Sequence, residues 1–156
     1  MEFTAAARAL HVIAIVHWIG GVSFVTLALL PGLMNGVPAS ERLHEFEMIE
    51  NRFAGQARVS TMLAGLSGFY MTYEYDAWHR LSDLQFWWMH AMIIIWAMFT
   101  VVLYVAEPLF LHRWFHDRAS RDPGGTFRLV RRLHVGLLLA STVTIVAAVL
   151  GAHGAV

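Results

Sequence analysis

Cysteine and lysine are both absent from the 156 residues, and charged side chains are scarce. Without cysteine the chain has no disulfides, iron-sulfur clusters or thiolate chemistry. Charged residues make up 14% of the sequence, against about 25% in ordinary globular proteins, whereas 58% of the residues are hydrophobic. Eleven arginines balance eleven acidic residues, so the formal net charge is zero and no nucleic-acid partner is expected. The composition predicts a single integral membrane domain over residues 1–156, with the lipid bilayer as its main surroundings.

Four apolar stretches are long enough to cross a bilayer, which requires about 20 helical residues. We expect these spans at about residues 6–30, 53–75, 84–107 and 127–151. The first is expected to end at Pro31-Gly32 and the third at Glu107-Pro108, because proline and glycine interrupt helices. Since a backbone in lipid must satisfy its own hydrogen bonds, the sequence predicts an all-α, four-helix membrane bundle.

The connections between the spans differ in composition. Residues Ser40 to Asn51 place apolar and acidic side chains on different sides of a helix, which predicts a short interfacial helix between the first two spans. Residues Asp117 to Thr126 are rich in turn-forming types and are expected to form a loop.

The arginines predict the orientation of the bundle. Nine of them lie in or near the first and third connections, whereas Arg8 and Arg80 lie on the opposite side. Because positive charges are retained on the cytoplasmic side, both termini are expected outside. In a bacterium this means the inner membrane, with both termini in the periplasm.

The nine histidines are the main chemical resource of the chain. Four of them, His11, His17, His90 and His134, are expected inside the spans, where an imidazole needs a hydrogen-bond partner, water or a metal. At 1.5 Å per residue, His11 and His90 lie at a similar depth near the outer side, and His17 and His134 lie more centrally.

Two imidazoles on facing helices are a common way to hold a b-type haem. We therefore expect His11 and His90 as axial ligands of one haem b, and His17 and His134 are the candidate ligands if the chain holds a second one. Polar contacts between helices or a non-haem metal are the alternatives for the first pair. For His17 and His134 the alternatives are a proton relay, a quinone contact or interhelical hydrogen bonding. Whether His11 or His17 is the ligand on the first helix stays open.

Several other residues bear on such a site. Arg8, one turn before His11, is placed to contact a haem propionate or, equally, a lipid headgroup. Arg58 and Glu107 are expected near the inner surface, where they pair or extend separately towards water. Four glycines leave room for a porphyrin or, as we favour, allow close helix packing: Gly20, Gly21, Gly65 and Gly68. Five histidines are expected in loops or at helix ends: His44, His79, His112, His116 and His153.

The first span contains Arg8-Ala9-Leu10-His11, followed by Trp18-Ile19-Gly20-Gly21. This pattern resembles the first helix of the CopD copper-resistance membrane proteins and of the related HemJ group. The stretch Phe46 to Gly68, with Glu50, Arg52 and Gly65, resembles the second helix and its approach. Trp88-Met89-His90-Ala91 resembles the start of the third helix of HemJ proteins.

The resemblance implies a four-helix membrane fold. On the HemJ side it implies a b-type haem whose first-helix ligand corresponds to His11, and oxidation of protoporphyrinogen IX. On the CopD side it implies copper handling. The chain departs from HemJ at Met92, where HemJ has a basic residue, and at Arg131 to His134, where an N-E-x-P motif is replaced by R-x-x-H. These departures favour a cytochrome with one haem or two.

The first hypothesis is thus a membrane cytochrome b that carries electrons between a quinone pool and a redox protein partner. The alternatives are a protoporphyrinogen oxidase resembling HemJ, and a copper-handling or structural protein without haem. No catalytic residue is assigned, and a homodimer or a subunit of a larger complex is compatible with so small a chain.

Overall fold

Four long helices make up almost all of the computed structural model, which describes residues 2–154. Helix α1 spans Glu2–Gly36, α2 spans Arg42–Glu74, α3 spans Leu84–Arg121 and α4 spans Pro123–Ala152. A short 3₁₀ helix, Ala77–Ser82, connects α2 to α3. Residues 2–154 contain no β-strand, so the predicted all-α class is confirmed.

Three of these helices, α1, α3 and α4, are long and apolar enough to cross a membrane. Helices of this length and composition are typical of an integral membrane protein. Helix α2 has 33 residues, but its first half is charged. Its second half, residues 59–73, has no charged side chain.

The outer surface of the helices is apolar. Large hydrophobic side chains such as Ile94, Leu139 and Val143 are more than half exposed. Apolar patches of this extent are rare on soluble monomers and are typical of surfaces that face lipid or another protein.

The predicted interfacial helix over Ser40 to Asn51 is wrong as a separate element. Residues from Arg42 onwards belong to α2, which runs to Glu74. The range contains no proline, so nothing removes a hydrogen bond from the helix there. Phe46 is buried, which places part of the apolar side of this stretch against protein.

Both predicted helix stops are also wrong. Helix α1 continues past Pro31, and α3 continues through Pro108. Near each proline the helix widens into a π segment, Val25–Leu29 in α1 and Val102–Leu111 in α3. A proline ring clashes with the carbonyl four residues earlier in an α-helix, and the wider π turn relieves that clash.

The loop expected over Asp117 to Thr126 is reduced to Asp122. This residue caps α4, because its side chain accepts a hydrogen bond of 2.8 Å from the Gly125 amide. Pro123 then begins the helix, where its missing N–H costs nothing.

Two clusters of side chains hold the helices together. In one, Trp18 of α1 is buried beside Ala64 of α2, and its ring meets Phe99 of α3 edge-on at 4.9 Å between centroids. In the other, Phe46, Phe115 and Phe127 pack with centroids 5.3 to 5.9 Å apart. These rings come from α2, α3 and α4, and Leu30 of α1 joins them, so the second cluster connects all four helices.

Candidate functional site

His11 is held by a neighbouring helix. Its Nδ1 lies 2.9 Å from the Ala64 carbonyl oxygen and 3.0 Å from the Ser67 hydroxyl, both on α2. Gly68 makes this approach possible, because a Cβ there would lie 3.2 Å from the His11 ring. The imidazole is half-buried between α1 and α2.

These contacts define the chemistry of the ring. A carbonyl only accepts hydrogen bonds, so Nδ1 carries the proton and donates a hydrogen bond to the Ala64 carbonyl oxygen. The lone pair is then on Nε2, which has no hydrogen-bond partner within residues 2–154. Histidines that bind metals have this arrangement, with one nitrogen fixed by a carbonyl and the other left to coordinate.

His90 contacts the 3₁₀ helix before α3 and the first turn of α3 itself. Its Nε2 lies 3.0 Å from the Leu81 carbonyl oxygen, and its Nδ1 lies 3.2 Å from that of Phe86. A neutral imidazole has a single N–H, so it donates to one of these carbonyls at a time. The partners of His90 and of His11 lie on different elements, and their pairing on one iron stays a prediction.

His17 and His134 contact their own helices. The Nδ1 of His17 lies 3.0 Å from the Ile13 carbonyl, and that of His134 lies 2.9 Å from the Val130 carbonyl. His17 is exposed on α1, whereas His134 is half-buried on α4. A second haem between them therefore also stays a prediction.

The five remaining histidines are exposed: His44, His79, His112, His116 and His153. His112 and His116 were expected in a loop or at a helix end, but both lie within α3, because that helix continues to Arg121. Helix α3 does extend over both His112 and His116, so the two are one turn apart on it. Across residues 2–154, no group of three or more His, Asp or Glu side chains is arranged to hold a metal ion.

Arg8 is engaged by the end of α2. Its Nη2 donates a hydrogen bond of 2.6 Å to the Tyr75 hydroxyl, and the guanidinium lies 5.8 Å from the centre of the same ring. The side chain stays exposed at the end of the molecule that holds the N-terminus. Contact with a propionate or a headgroup is compatible with this position.

Aromatic rings occupy the space beside three of the four glycines. A side chain at Gly21 would collide with Phe53, and one at Gly65 would collide with Trp96. Gly68 faces His11, as described above, and Gly20 has no atom within 4 Å of the place where its Cβ would be. Close packing, the reading we favoured for these glycines, accounts for all but Gly20.

Arg58 and Glu107 form a salt bridge between α2 and α3. Arg58 also donates through Nε to the Leu103 carbonyl at 3.1 Å, and the Tyr104 hydroxyl donates to the Arg58 carbonyl at 2.8 Å. In a π turn the amide of residue 108 would bond to the Leu103 carbonyl, but Pro108 has no N–H. Arg58 supplies the missing donor. Pro108 was the sequence signal for this backbone role of Arg58. The role was not predicted from the sequence, because the donor and the acceptor lie on different helices.

Glu50 lies near this pair, on α2 ahead of the expected second span, and is half-buried. Burial raises the pKa of its carboxyl above the ordinary value, and the negative charge of Glu107 adds to this effect. The charge of His112 lowers it, and that of Glu47 raises it further. We call Glu50, Arg58 and Glu107 the charged junction.

Comparison of the chain with protein-family models, with curated proteins and with solved structures gives no match.

The described residues fit a haem in part. His11, with Nδ1 on a carbonyl and no hydrogen-bond partner for Nε2 among residues 2–154, could hold a haem iron through Nε2. His90 fits less directly, because its Nε2 lies against the Leu81 carbonyl. Two cavities, of about 160 and 520 Å³, lie beside α2, and neither is lined by a histidine.

Proposed function

We propose that the chain is an integral membrane cytochrome b that carries electrons between a quinone pool and a redox protein partner. The observation that carries this proposal is the His11 imidazole, half-buried, fixed on α2 through Nδ1 and presenting Nε2. Haem, when bound, supplies one-electron redox chemistry. The protein's own contribution is to hold the ligand nitrogen, exclude water and surround the group with apolar side chains.

The second ligand in this proposal is His90. Its Nε2 becomes available when it gives up the Leu81 carbonyl, which belongs to the short 3₁₀ helix before α3. That helix is one of the smallest elements of the fold, so moving it disturbs few buried contacts. His17 and His134 remain the candidate ligands for a second haem, since each has its Nδ1 on a carbonyl.

We further propose that all four helices span the membrane, with both termini outside, in a bacterial inner membrane. The second half of α2 is uncharged, and the charge of Arg58 just before it is balanced by Glu107 of α3. Both features support a fourth span. The excess of arginines at the opposite end supports the orientation.

Haem content is the measurement that tests the function. A pyridine haemochrome assay on detergent-purified protein is expected to give one haem b per chain, or two if His17 and His134 hold another. His11→Ala should remove haem or shift the Soret band, because it removes the imidazole that is fixed on α2 and presents Nε2. His90→Ala should do the same.

His153→Ala is the matched control, because this histidine is exposed at the end of α4. It should retain the full haem content. A colourless wild-type protein overturns the proposal. An unchanged spectrum in His90→Ala removes that residue from the ligand set and leaves His11 with a different partner.

A further inference from the structure

A groove of about 520 Å³ runs between α1 and α2. Its walls are mostly apolar: Phe24, Met48, Ile49 and Phe53. Arg52 and Gln56 also line it, one helical turn apart on α2. The groove contains no histidine and is separate from the charged junction.

The floor of the groove depends on a missing side chain. The Phe53 ring lies where a Cβ of Gly21 would be, so the ring sinks into the surface of α1. Phe24 and Met48 remain about half exposed on either side. The groove is therefore apolar and open to the surroundings of the protein.

Arg52, which lines this groove, is a cation without a charged partner among residues 2–154. The side chains one turn away on the same helix are Met48, Ile49 and Gln56, none of which is charged. Among residues 2–154, Arg58 and Glu107 form the one salt bridge, and Arg52 has no hydrogen-bond partner. An exposed guanidinium at this position is complementary to an anion.

We propose that the groove binds an anionic phospholipid of the surrounding bilayer, with the phosphate on Arg52 and one acyl chain against Phe53 and Gly21, which lie on the membrane side of Arg52. Arg52 lies at the inner end of the expected second span, which is the depth of lipid headgroups, and Gly21 lies within the first span. This placement rests on the proposed four-span topology. Basic pockets between membrane helices bind anionic headgroups in this way. The site is independent of haem binding.

Native mass spectrometry of the purified, full-length protein tests this site, with phosphatidylglycerol and phosphatidylcholine of identical acyl chains as probes. The wild type is expected to bind its first phosphatidylglycerol more tightly than phosphatidylcholine. Arg52→Gln should weaken that first binding about fivefold, which is the effect of one arginine near a membrane surface. Phosphatidylcholine binding should change little.

Arg128→Gln is the matched control, because Arg128 is exposed on α4 and does not line the groove. It should leave the first phosphatidylglycerol affinity unchanged. Gln56→Trp, which keeps the charge and fills the groove on the membrane side of Arg52, should weaken both lipids. Equal losses in Arg52→Gln and Arg128→Gln overturn the site in favour of diffuse surface charge, and equal binding of the two lipids by the wild type overturns it as well.

Discussion

Aromatic rings lie over glycines at several contacts between the helices. The Trp96 indole covers Gly65, and its Nε1 donates a hydrogen bond of 2.9 Å to the Thr61 carbonyl. The Phe53 ring covers Gly21 in the same manner. Because these glycines have no side chain, the aromatic rings pack directly against the backbone of the neighbouring helix. Glycine lowers the intrinsic stability of a helix, and the close packing that it allows between helices offsets this loss.

The Glu50 carboxyl predicts how stability depends on pH. Because burial raises its pKa in the folded protein, the folded state holds the proton more tightly than the unfolded state does. Its contribution to stability is present below the ordinary carboxyl pKa and is lost as the pH rises through the raised value. Glu50→Gln, which cannot ionise, should therefore be more stable than the wild type at neutral pH.

Thermal unfolding in detergent at several pH values measures this effect. The advantage of Glu50→Gln should shrink as the pH falls towards the ordinary carboxyl range. Glu41→Gln is the control, because that residue is exposed before α2. An advantage that is constant with pH contradicts the ionisation of Glu50 as the cause.

The π segment of α3 is the element on which the charged junction depends. Its hydrogen bonds run from residue to residue five positions apart, as from the His112 amide to the Glu107 carbonyl. At Pro108 one such donor is missing, and Arg58 of α2 supplies a substitute to Leu103. The same arginine pairs with Glu107, so one side chain repairs the backbone and balances a charge.

A double-mutant cycle at Arg58 and Pro108 tests this coupling. Arg58→Gln should destabilise the protein by about 1–3 kcal/mol, because it leaves a carboxylate and a carbonyl without their partner. In a Pro108→Ala background the loss should be about 1 kcal/mol smaller, since the new amide at position 108 can bond to Leu103. Denaturant unfolding in detergent measures each term. Strict additivity of the two changes would show that Arg58 does not compensate for the proline.

The whole molecule has an apolar exterior and no cysteine, which makes its topology easy to probe. Single cysteines at Ser40, Ser82 and Ser120 lie in or near the three connections, and all three positions are exposed. If all four helices span, an impermeant maleimide applied from outside should label Ser82→Cys fully, and Ser40→Cys and Ser120→Cys hardly at all.

Inverted vesicles should reverse this labelling pattern, and the wild type, which has no cysteine, gives the background. Labelling of Ser40→Cys and Ser82→Cys from the same side would show that α2 does not cross the membrane. Labelling of all positions opposite to the expectation would reverse the orientation and leave the number of spans intact.

The order and approximate extent of the helices follow from the sequence, because long apolar runs and polar connections act locally. Residues 6–30, 84–107 and 127–151 all lie inside observed helices. The helix ends were predicted less well, since Pro31 and Pro108 stop an isolated helix but are accommodated here by π turns. The burial of Phe46 was not predicted either, because it depends on contact with Phe115 and Phe127, which are distant in the sequence.

The sequence by itself determined the all-helical class and the helices that are long and apolar enough to cross a membrane, because composition and the length of apolar runs depend on no distant contact. It also singled out His11 and the pairing of Arg58 with Glu107 as candidates. The tertiary structure decided what these groups contact: His11 is fixed by a carbonyl of α2, and Arg58 supports the backbone of α3. Such partners come from residues 45 or more positions away in the chain, and only the packing of the helices brings them together.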